Sequence, residues 1–337
     1  MTIAFAYNVK KELGDGVSTE LDFDFPETIE AIKKTIESLG HTVMEIEANE
    51  EAFEKLKNKR GEIDLVFNIA EGLRGDARES QIPLFGEMLG IPYTHSSPTT
   101  HALSLHKAMA KLAVAGAGVQ VPAGVVLEPG GDEAKTGGLR FPVIIKPNAE
   151  GSSVGVFDAN VVKTREEMSN RIKETRGQGF AGNLLVEEFI DGREFTVAVI
   201  GDEEIEILPV IEQKFGFLPT GMQHIAGYEL KWVYEDALKN LCEAYECPAI
   251  LEPSQQRELE EMTRSVYQAL EVRDCARLDY RMDKSGKLYF LEINTLPGIN
   301  PSETVISYFP LAARKAGYTY PQLVEKIINL ARKRYGI

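Results

Sequence analysis

Short apolar runs alternate with amphipathic stretches over the first hundred residues. Three runs have the length of strands: Ile3–Tyr7, Thr42–Ile46 and Ile63–Ile69. Between them, Pro26 opens a stretch whose apolar residues recur at helical spacing, and residues 50–59 follow the same period. Nearly all-apolar strands separated by helices are typical of a parallel sheet that is covered on both faces. The pattern therefore predicts a doubly wound α/β domain.

The pattern changes after about residue 97 and again near residue 183. Later helices are predicted at 99–115, 165–175, 254–270 and 321–335, and strands at 125–127, 143–146, 184–189, 195–200, 205–211, 276–282 and 287–294. A long polar segment, 213–247, shows no clear period and is a candidate functional loop. We predict an α/β fold with α+β character in its later part. Its predicted domains are an N-terminal parallel-sheet domain at 1–97, a central subdomain at 98–183 and a C-terminal subdomain at 184–337.

Charge and cysteine content narrow the function classes. Asp plus Glu outnumber Lys plus Arg by 52 to 37, a net charge of −15, which argues against a nucleic-acid-binding protein. The 3 cysteines cannot build a disulfide framework, and none has a partner at zinc-ligand spacing. The first nine residues have strand length and are followed at once by two lysines, so no signal peptide is expected. We expect no membrane span and a soluble, cytoplasmic protein.

A hairpin near the C-terminus carries the sharpest group of polar residues. Its turn, 283–286, separates two strands: Arg277 and Asp279 point the same way on the first, as do Glu292 and Asn294 on the second, and all four are predicted to converge on one face. Pairing of the two strands brings Asp279 within a residue or two of Glu292, while Leu278, Tyr280, Leu291 and Ile293 take the packing positions. Hard oxygen ligands on adjacent strands suit Mg²⁺ together with substrate phosphates. The alternative is a solvated polar face with a surface salt bridge.

Two further segments could contact a nucleotide. Lys146 closes an apolar strand and is followed by the Gly- and Ser-rich turn Glu150–Gly155, whose N–H groups can approach phosphate oxygens. Such turns also join many hairpins, and this one is not a Walker A motif because no Gly-Lys-Ser/Thr opens a helix. Glu187 and Glu188 follow another apolar strand, where backbone groups could read an adenine edge, although acids in this position are usually just solvated.

Taken in order, these segments resemble the ATP-grasp superfamily and, within it, the D-alanine–D-alanine ligases. The motifs that carry the resemblance lie at 91–94, 141–147, 150–155, 192–197, 247–249, 277–280 and 291–298. The resemblance implies two ATP-grasp subdomains, with ATP and Mg²⁺, or Mn²⁺ in its place, as cofactors. It also implies that ATP phosphorylates the carboxylate of one D-alanine and that the amine of a second D-alanine attacks the acyl-phosphate.

The resemblance assigns roles to residues of this sequence. Lys107 and Lys146 would contact the ATP phosphates, and the residues around adenine and ribose would be Glu187, Phe189, Ile190 and Glu194. The magnesium ligands would be Asp279, Glu292 and Asn294. Arg277 and the N–H of Gly298 would stabilise the oxyanion, Ser152 would lie near the substrates, and Lys231 would reach the γ-phosphate from segment 213–247, which would close as a lid.

The departures from the family concern the amino-acid substrates. The first strand of the family leads into a Gly-Gly-x-Ser-x-Glu stretch whose glutamate holds the first ammonium group, whereas residues 7–10 read Tyr-Asn-Val-Lys; Glu12 and Glu20 are two of the candidate replacements. After the third strand, where the family has His-Gly, residues 70–72 read Ala-Glu-Gly. Trp232 stands where the family has Tyr or Phe, so the family's Tyr–Ser–Glu network cannot form unchanged. The link after Gly298 is also longer.

The leading expectation is a D-alanine–D-alanine ligase that serves peptidoglycan precursor synthesis and cell-wall biogenesis. A second reading keeps the mechanism but joins a different amino acid or hydroxy acid pair. A third is a non-catalytic ATP-binding protein, against which the retention of Arg277 argues, because nucleotide binding needs no arginine at an oxyanion. The expected partners are small amino-acid substrates and, since family members are commonly dimers, a second copy of the chain.

Overall fold

The computed structural model describes residues 1–10, 23–235 and 237–337. The strands are β1 Thr2–Tyr7, β2 Thr42–Glu47, β3 Leu65–Asn68, β4 Gly124–Leu127, β5 Val143–Pro147, β6 Val161–Val162, β7 Leu184–Glu188, β8 Gly192–Gly201, β9 Ile205–Ile207, β10 Ile211–Gln213, β11 Tyr245–Glu246, β12 Cys275–Asp283 and β13 Leu288–Asn294. The α-helices are α1 Pro26–Ser38, α2 Ala52–Lys59, α3 Gln81–Leu89, α4 Pro98–Leu105, α5 Lys107–Gly116, α6 Arg165–Gly177, α7 Pro253–Ala269, α8 Tyr308–Lys315 and α9 Tyr320–Tyr335.

The first sheet is parallel, as the alternating pattern predicted, with strand order β2-β1-β3. Its apolar strands are covered on both faces. One face packs on α1 and on the C-terminal helices, where Ile3, Ile32 and Ile327 share one core. The other face packs on α2 and α3 through Ala4, Leu56 and their neighbours. The C-terminal helix α9 thus completes the core of the N-terminal sheet, because the sheet needs a partner on each apolar face.

Two antiparallel sheets follow along the chain. One has the order β4-β7-β5-β6, and the other has the order β11-β10-β8-β12-β13 with β9 also paired to β8. Their strands confirm the predicted mixture of an α/β first part and α+β later parts. Whether the domain limits lie at residues 97/98 and 183/184 stays a prediction. No helix within the described ranges is both long enough and apolar enough to cross a membrane.

Several predicted elements differ in detail. The helix predicted over 99–115 is two helices, because His106 (φ −83°, ψ 88°) breaks it and caps α5 through its side chain. The strand predicted over 205–211 is divided into β9 and β10, since each pairs with a different part of β8. Helices α3 and α8 were not predicted. The 3₁₀ helix Glu133–Gly138 lies between β4 and β5, and segment 213–247 contains the π-helix Leu230–Tyr234.

A buried ionic cluster joins the end of the first domain to the C-terminal part. The Asp274 carboxylate accepts hydrogen bonds from the backbone N–H of His95 (2.6 Å) and from the Arg334 guanidinium (2.5 and 3.1 Å). Arg334 also contacts Asp202 (3.0 Å) and the carbonyl of Tyr93 (3.0 Å). Burial raises the pKa of Asp274 to about 7, even though Arg334 lowers it. This cluster fixes α9 against two separate segments of the chain.

Candidate active site

A cavity lies between the two antiparallel sheets. Most of the residues predicted from the sequence line it: Lys107, Lys146, Glu187, Phe189, Ile190, Glu194, Lys231, Asp279 and Glu292. They come from α5, β5, β7, the loop after β7, β8, the segment 213–247, β12 and β13. Ser152, Arg277, Asn294 and Gly298 do not line this cavity. The structure therefore brings together the residues assigned to the ATP phosphates and those assigned to adenine and ribose. It also places two of the three predicted metal ligands in the same cavity.

The C-terminal hairpin pairs as predicted. Asp279 lies opposite Glu292, and Arg277 lies opposite Asn294. The Asp279 carboxylate accepts a hydrogen bond from the Thr196 hydroxyl (2.7 Å) and lies 3.3 Å from the Arg277 guanidinium. A register shift between Asp279 and Tyr280 turns Leu291 into the cavity lining, so its predicted role as a packing residue was wrong.

Cations surround the Glu292 carboxylate. The Lys107 ammonium lies 3.3 Å from it. Burial raises the pKa of Glu292, but the charges of Lys107, Lys146 and Lys231 outweigh burial and hold that pKa well below its ordinary value. Glu292 is therefore ionised at any physiological pH. A permanently ionised carboxylate is the form that binds a hard cation.

The donor set of the hairpin fits Mg²⁺. Asp279 and Glu292 supply two carboxylates, the number that Mg²⁺ usually takes when substrate phosphates complete its shell. The side-chain oxygen of Asn294 accepts a hydrogen bond from the backbone N–H of Leu296 (2.9 Å), which fixes the orientation of the amide. The second lone pair of this oxygen could bind a metal ion. Within the described ranges, no three His, Cys, Asp or Glu side chains converge as a metal site by themselves.

Glu187 is the centre of a buried ionic triad. Its carboxylate lies 2.5 Å from the Lys146 ammonium and also contacts the Lys111 ammonium, and it is only 1% exposed. Burial raises the pKa of Glu187, but the two lysines more than offset this and lower it. Burial lowers the pKa of Lys111 to about 8 despite the contact with Glu187. In this arrangement Glu187 orients Lys146.

Sequence reasoning missed Lys111 and Arg281. Lys111 lies four residues after Lys107 in α5, a spacing that places both side chains on one helix face. Arg281 lies 2.9 Å from Glu194, donates to the carbonyl of Ile190 (2.6 Å) and stands 4.7 Å from the Phe189 ring centroid. Its position two residues beyond Asp279 on the same strand was the available signal. Arg281 thus organises the residues assigned to adenine and ribose.

The turn after β5 and residues 225–231 of the segment 213–247 contribute to the cavity lining. Ser152 (φ +41°) and Ser153 (φ +61°) adopt left-handed backbone, and Ser153 rather than Ser152 lines the cavity. The Ser153 hydroxyl donates to the carbonyl of Ala226 (2.7 Å), and the Trp232 indole N–H donates to the carbonyl of Ser152 (3.3 Å). Lys231 lines the cavity from this segment, and the role of the segment as a lid stays a prediction.

Arg277 and Gly298 lie one step further along the hairpin. Arg277 pairs with Asn294 across the strands, and its Nε atom is buried without a hydrogen-bond partner among the described residues. Gly298 is exposed, and its carbonyl accepts from the Ser307 hydroxyl (3.0 Å). Burial lowers the pKa of Arg277, but the charges of Asp279 and Glu292 outweigh burial and raise that pKa above its ordinary value. Arg277 therefore keeps its charge.

The carboxyl edge of the first sheet faces the other side of this turn. The Arg78 guanidinium lies 3.1 Å from Glu150 and donates to the carbonyl of Ala149 (3.0 Å). Gly72 (φ +79°) donates its N–H to Asn8 (3.0 Å), and a Cβ at Gly72 would lie 2.1 Å from the Arg78 carbonyl oxygen. Glu12 and Glu20, the candidates for holding a substrate ammonium group, lie outside the described residues.

Several known proteins are similar to this chain in sequence. The profile of the family "D-ala D-ala ligase C-terminus" matches residues 116–329. A D-alanine–D-alanine ligase of Desulforudis audaxviator is 33% identical over 90% of this chain and 92% of its own length. An uncharacterized protein, y4sG of Sinorhizobium fredii, is 35% identical over 80% of this chain and 75% of its own length. The chain belongs to the D-alanine–D-alanine ligase family.

Structural comparison agrees with this membership. The crystal structure of a D-alanine–D-alanine ligase from Bacillus anthracis in complex with ATP superimposes with a TM-score of 0.74 at 21% identity, covering 100% of this chain and 99% of that chain. At this identity the likeness concerns the fold alone. The predicted ATP-grasp fold is thereby confirmed, and the protein is a member of an ATP-dependent ligase family.

Proposed function

We propose that this member of the D-alanine–D-alanine ligase family forms an amide bond between the carboxylate of one small acid and the amine of another, using ATP. The reference substrates are two molecules of D-alanine, which are joined for cell-wall precursors. One observation carries the proposal: Asp279 and Glu292 face each other while Lys107 approaches Glu292 to 3.3 Å at the cavity. Paired carboxylates beside a lysine are suited to a metal-bound triphosphate.

Each requirement of the reaction has a candidate residue here. Bound Mg²⁺, or Mn²⁺, would neutralise phosphate charge and would be held by Asp279, Glu292 and Asn294. Lys107, Lys146 and Lys231 would hold the phosphates in line with the first substrate's carboxylate. Arg277, a charged and half-buried residue of the hairpin, would stabilise the oxyanion with the N–H of Gly298. Ser152 would position the substrates through the turn that Trp232 contacts.

A second candidate keeps this mechanism and changes the first substrate. Lys10 and Trp232, two residues that depart from the family pattern, contact each other at the edge of the site. This contact favours a different amino acid or another acid as the donor. A non-catalytic ATP-binding protein is disfavoured, because such a protein has no use for a charged, half-buried Arg277 beside the two carboxylates that would bind the metal.

The test is amino-acid-dependent phosphate release from ATP with Mg²⁺. D- and L-amino acids and hydroxy acids are supplied singly and in pairs, and products are identified by mass. Turnover with D-alanine and formation of its dipeptide would support the reference reaction, and turnover with another pair only would support the second candidate. ATP binding without phosphate release from any pair would contradict a ligase.

The proposal extends to the location and assembly of the protein. We expect it in the cytoplasm, where ATP is available, and as a homodimer. Light scattering of the purified chain measures its mass in solution. A monomer at working concentrations would contradict the dimer and would leave the ligase reaction unaffected.

A further inference from the structure

The π-helix Leu230–Tyr234 includes Lys231, which lines the nucleotide cavity. Before this helix, the backbone N–H of Tyr228 donates to the carbonyl of Val156 (2.7 Å), in the segment that follows β5. At its other end, the N–H of Glu235 closes the π turn by donating to the carbonyl of Leu230 (2.9 Å). Such wide turns are rare and occur mostly at functional sites. The position of Lys231 therefore depends on what holds both ends of this turn.

Side chains from two distant elements contact the Glu235 end of the π-helix. The Tyr308 hydroxyl, at the start of α8, donates to the side-chain oxygen of Gln213 and lies 3.2 Å from the Glu235 carboxylate. The Gln213 amide, at the end of β10, donates to the same carboxylate (3.2 Å) and to the carbonyl of Ala244 (2.9 Å). Gln213 and Glu235 are 5% and 7% exposed, so water competes little for these bonds. Tyr308 and Gln213 thus join the π-helix to the C-terminal part of the chain.

The Tyr308 hydroxyl remains a hydrogen-bond donor at neutral pH. Burial and the charge of Glu235 raise the pKa of Tyr308 well above its ordinary value, so the hydroxyl keeps its proton. The charge of Arg277 partly opposes this rise in the pKa of Tyr308, which shows that the hydroxyl lies near the Arg277 guanidinium. The hydroxyl therefore lies between the end of the π-helix and the arginine assigned to the oxyanion.

The ring and the hydroxyl of Tyr308 have separable contacts. The ring packs against the core that the first sheet shares with the C-terminal helices. A phenylalanine ring would fill the same space, because this contact does not use the oxygen. The hydroxyl instead makes its bonds to β10 and to the end of the π-helix. Removing the oxygen alone therefore tests the second role without disturbing the first.

We propose that Tyr308 is a positioning residue for Lys231: together with Gln213, its hydroxyl holds the Glu235 end of the π-helix and so fixes the lysine in the cavity. The inference rests on the proposed function, in which Lys231 contacts the transferring phosphoryl group. A group held in place before the reaction avoids the cost of orienting it, and a misplacement of about 1 Å can cost about 100-fold in rate.

The chemical step is unchanged by this role. Tyr308 gives up no proton and takes part in no bond change, and it acts on the reaction only through the position of Lys231. Its loss should therefore slow phosphoryl transfer while the residues that line the rest of the nucleotide cavity keep their contacts.

Hydrogen exchange of the ligand-free protein tests the anchor without turnover. In Tyr308→Phe, the amides of residues 228–235 should exchange about tenfold faster than in wild type, the effect of losing one hydrogen bond to a charged group. The amides of α7 should exchange at the wild-type rate in the same sample. Tyr318→Phe is the matched control, because it removes a hydroxyl that bonds the Glu206 carboxylate (2.6 Å) just after α8, and it should leave residues 228–235 unchanged.

Steady-state kinetics test the effect on the reaction, with the substrate pair that gives turnover. Tyr308→Phe should lower kcat about tenfold and leave KM for ATP within about threefold, because the lysine acts on the phosphoryl group in flight. In a Lys231→Met background, adding Tyr308→Phe should change kcat by less than about twofold, since the side chain that Tyr308 positions is gone. Tyr318→Phe should leave kcat unchanged in both backgrounds. Circular dichroism checks that each variant is folded.

The outcomes separate the inference from the proposed function. Unchanged exchange of residues 228–235 in folded Tyr308→Phe would overturn the inference, and so would a lower Tm with unchanged kcat, because the hydroxyl would then contribute to stability alone. A loss of kcat that is equally large with and without Lys231 would also overturn it. Absence of turnover from every substrate pair would contradict the ligase, while faster exchange in Tyr308→Phe would still support the anchor of the π-helix.

Discussion

Glu187→Gln tests the buried triad that positions Lys146. The substitution keeps the shape of the side chain but removes the charge that faces Lys111 and Lys146. Because Glu187 is 1% exposed, water cannot replace it, and breaking a buried pair from one side costs about 3–5 kcal/mol. For a cooperative unit of about 150–250 residues, in which 1 kcal/mol shifts Tm by about 2–4 °C, we expect Tm at pH 7 to fall by roughly 6–20 °C.

The pH dependence of this loss has a definite sign. The pKa of Lys111 is about 8 in the folded protein, below its ordinary 10.5, so the unfolded chain holds more protons between these values. The contribution of Lys111 to stability therefore rises with pH through this window. At pH 9 Lys111 is mostly neutral, and Glu187→Gln then leaves only the Lys146 charge without its partner. The loss of Tm should be smaller at pH 9 than at pH 7.

The adjacent residue provides a matched control. Glu188 pairs with Arg140, whose side chain is 85% exposed, and such pairs contribute about 1 kcal/mol or less. Thermal unfolding of Glu187→Gln, Glu188→Gln and wild type is followed by circular dichroism at pH 7 and 9. Equal Tm values for Glu187→Gln and Glu188→Gln at pH 7 would refute the assignment of Glu187 to a buried triad.

Three further changes have definite expected results. Glu292→Ala should reduce phosphate release to background and leave the circular dichroism spectrum unchanged, since it removes a predicted metal ligand; normal release from the folded variant would contradict this role. Lys231→Met should lower kcat more than it weakens ATP binding, and unchanged kcat would remove Lys231 from phosphoryl transfer. Arg334→Met should destabilise the protein by about 3–5 kcal/mol because it leaves Asp274 buried without its cation. This loss, measured by urea unfolding, should be smaller at pH 5 than at pH 8, because Asp274, with a pKa of about 7, is protonated at pH 5; an equal loss at both would contradict the proposed ionic state.

Local pattern was sufficient for the elements that are long and regular. The strands of the first sheet and helix α1 follow from their apolar spacing, because side-chain period and burial coincide there. The break at His106 could not be read in this way. It depends on Asn148, which is distant in sequence and bonds the N–H groups of Lys107 and Ala108 (2.9 and 3.1 Å). Helix α8 is short, and its burial depends on the N-terminal sheet.

The hairpin shows how far local sequence can determine a site. Residues two apart on a strand share a face, and a short turn fixes the pairing, so the proximity of Asp279 and Glu292 follows from their spacing along the chain. The same reasoning mispredicted Leu291, because a register shift changes which side of the strand it faces. A bulge is a response to neighbouring strands and leaves little trace in local composition.

The sequence by itself determined the parallel first sheet, the pairing of Asp279 with Glu292 in the hairpin and the family to which the chain belongs, because each follows from short segments whose local pattern can be recognised. Only the tertiary structure decided which charges meet. Lys111 with Glu187, Arg334 with Asp274, and Lys10 with Trp232 are contacts between segments far apart in sequence. The pKa of a buried group and the charge that faces a substrate depend on such contacts, since burial and distance set electrostatic energies.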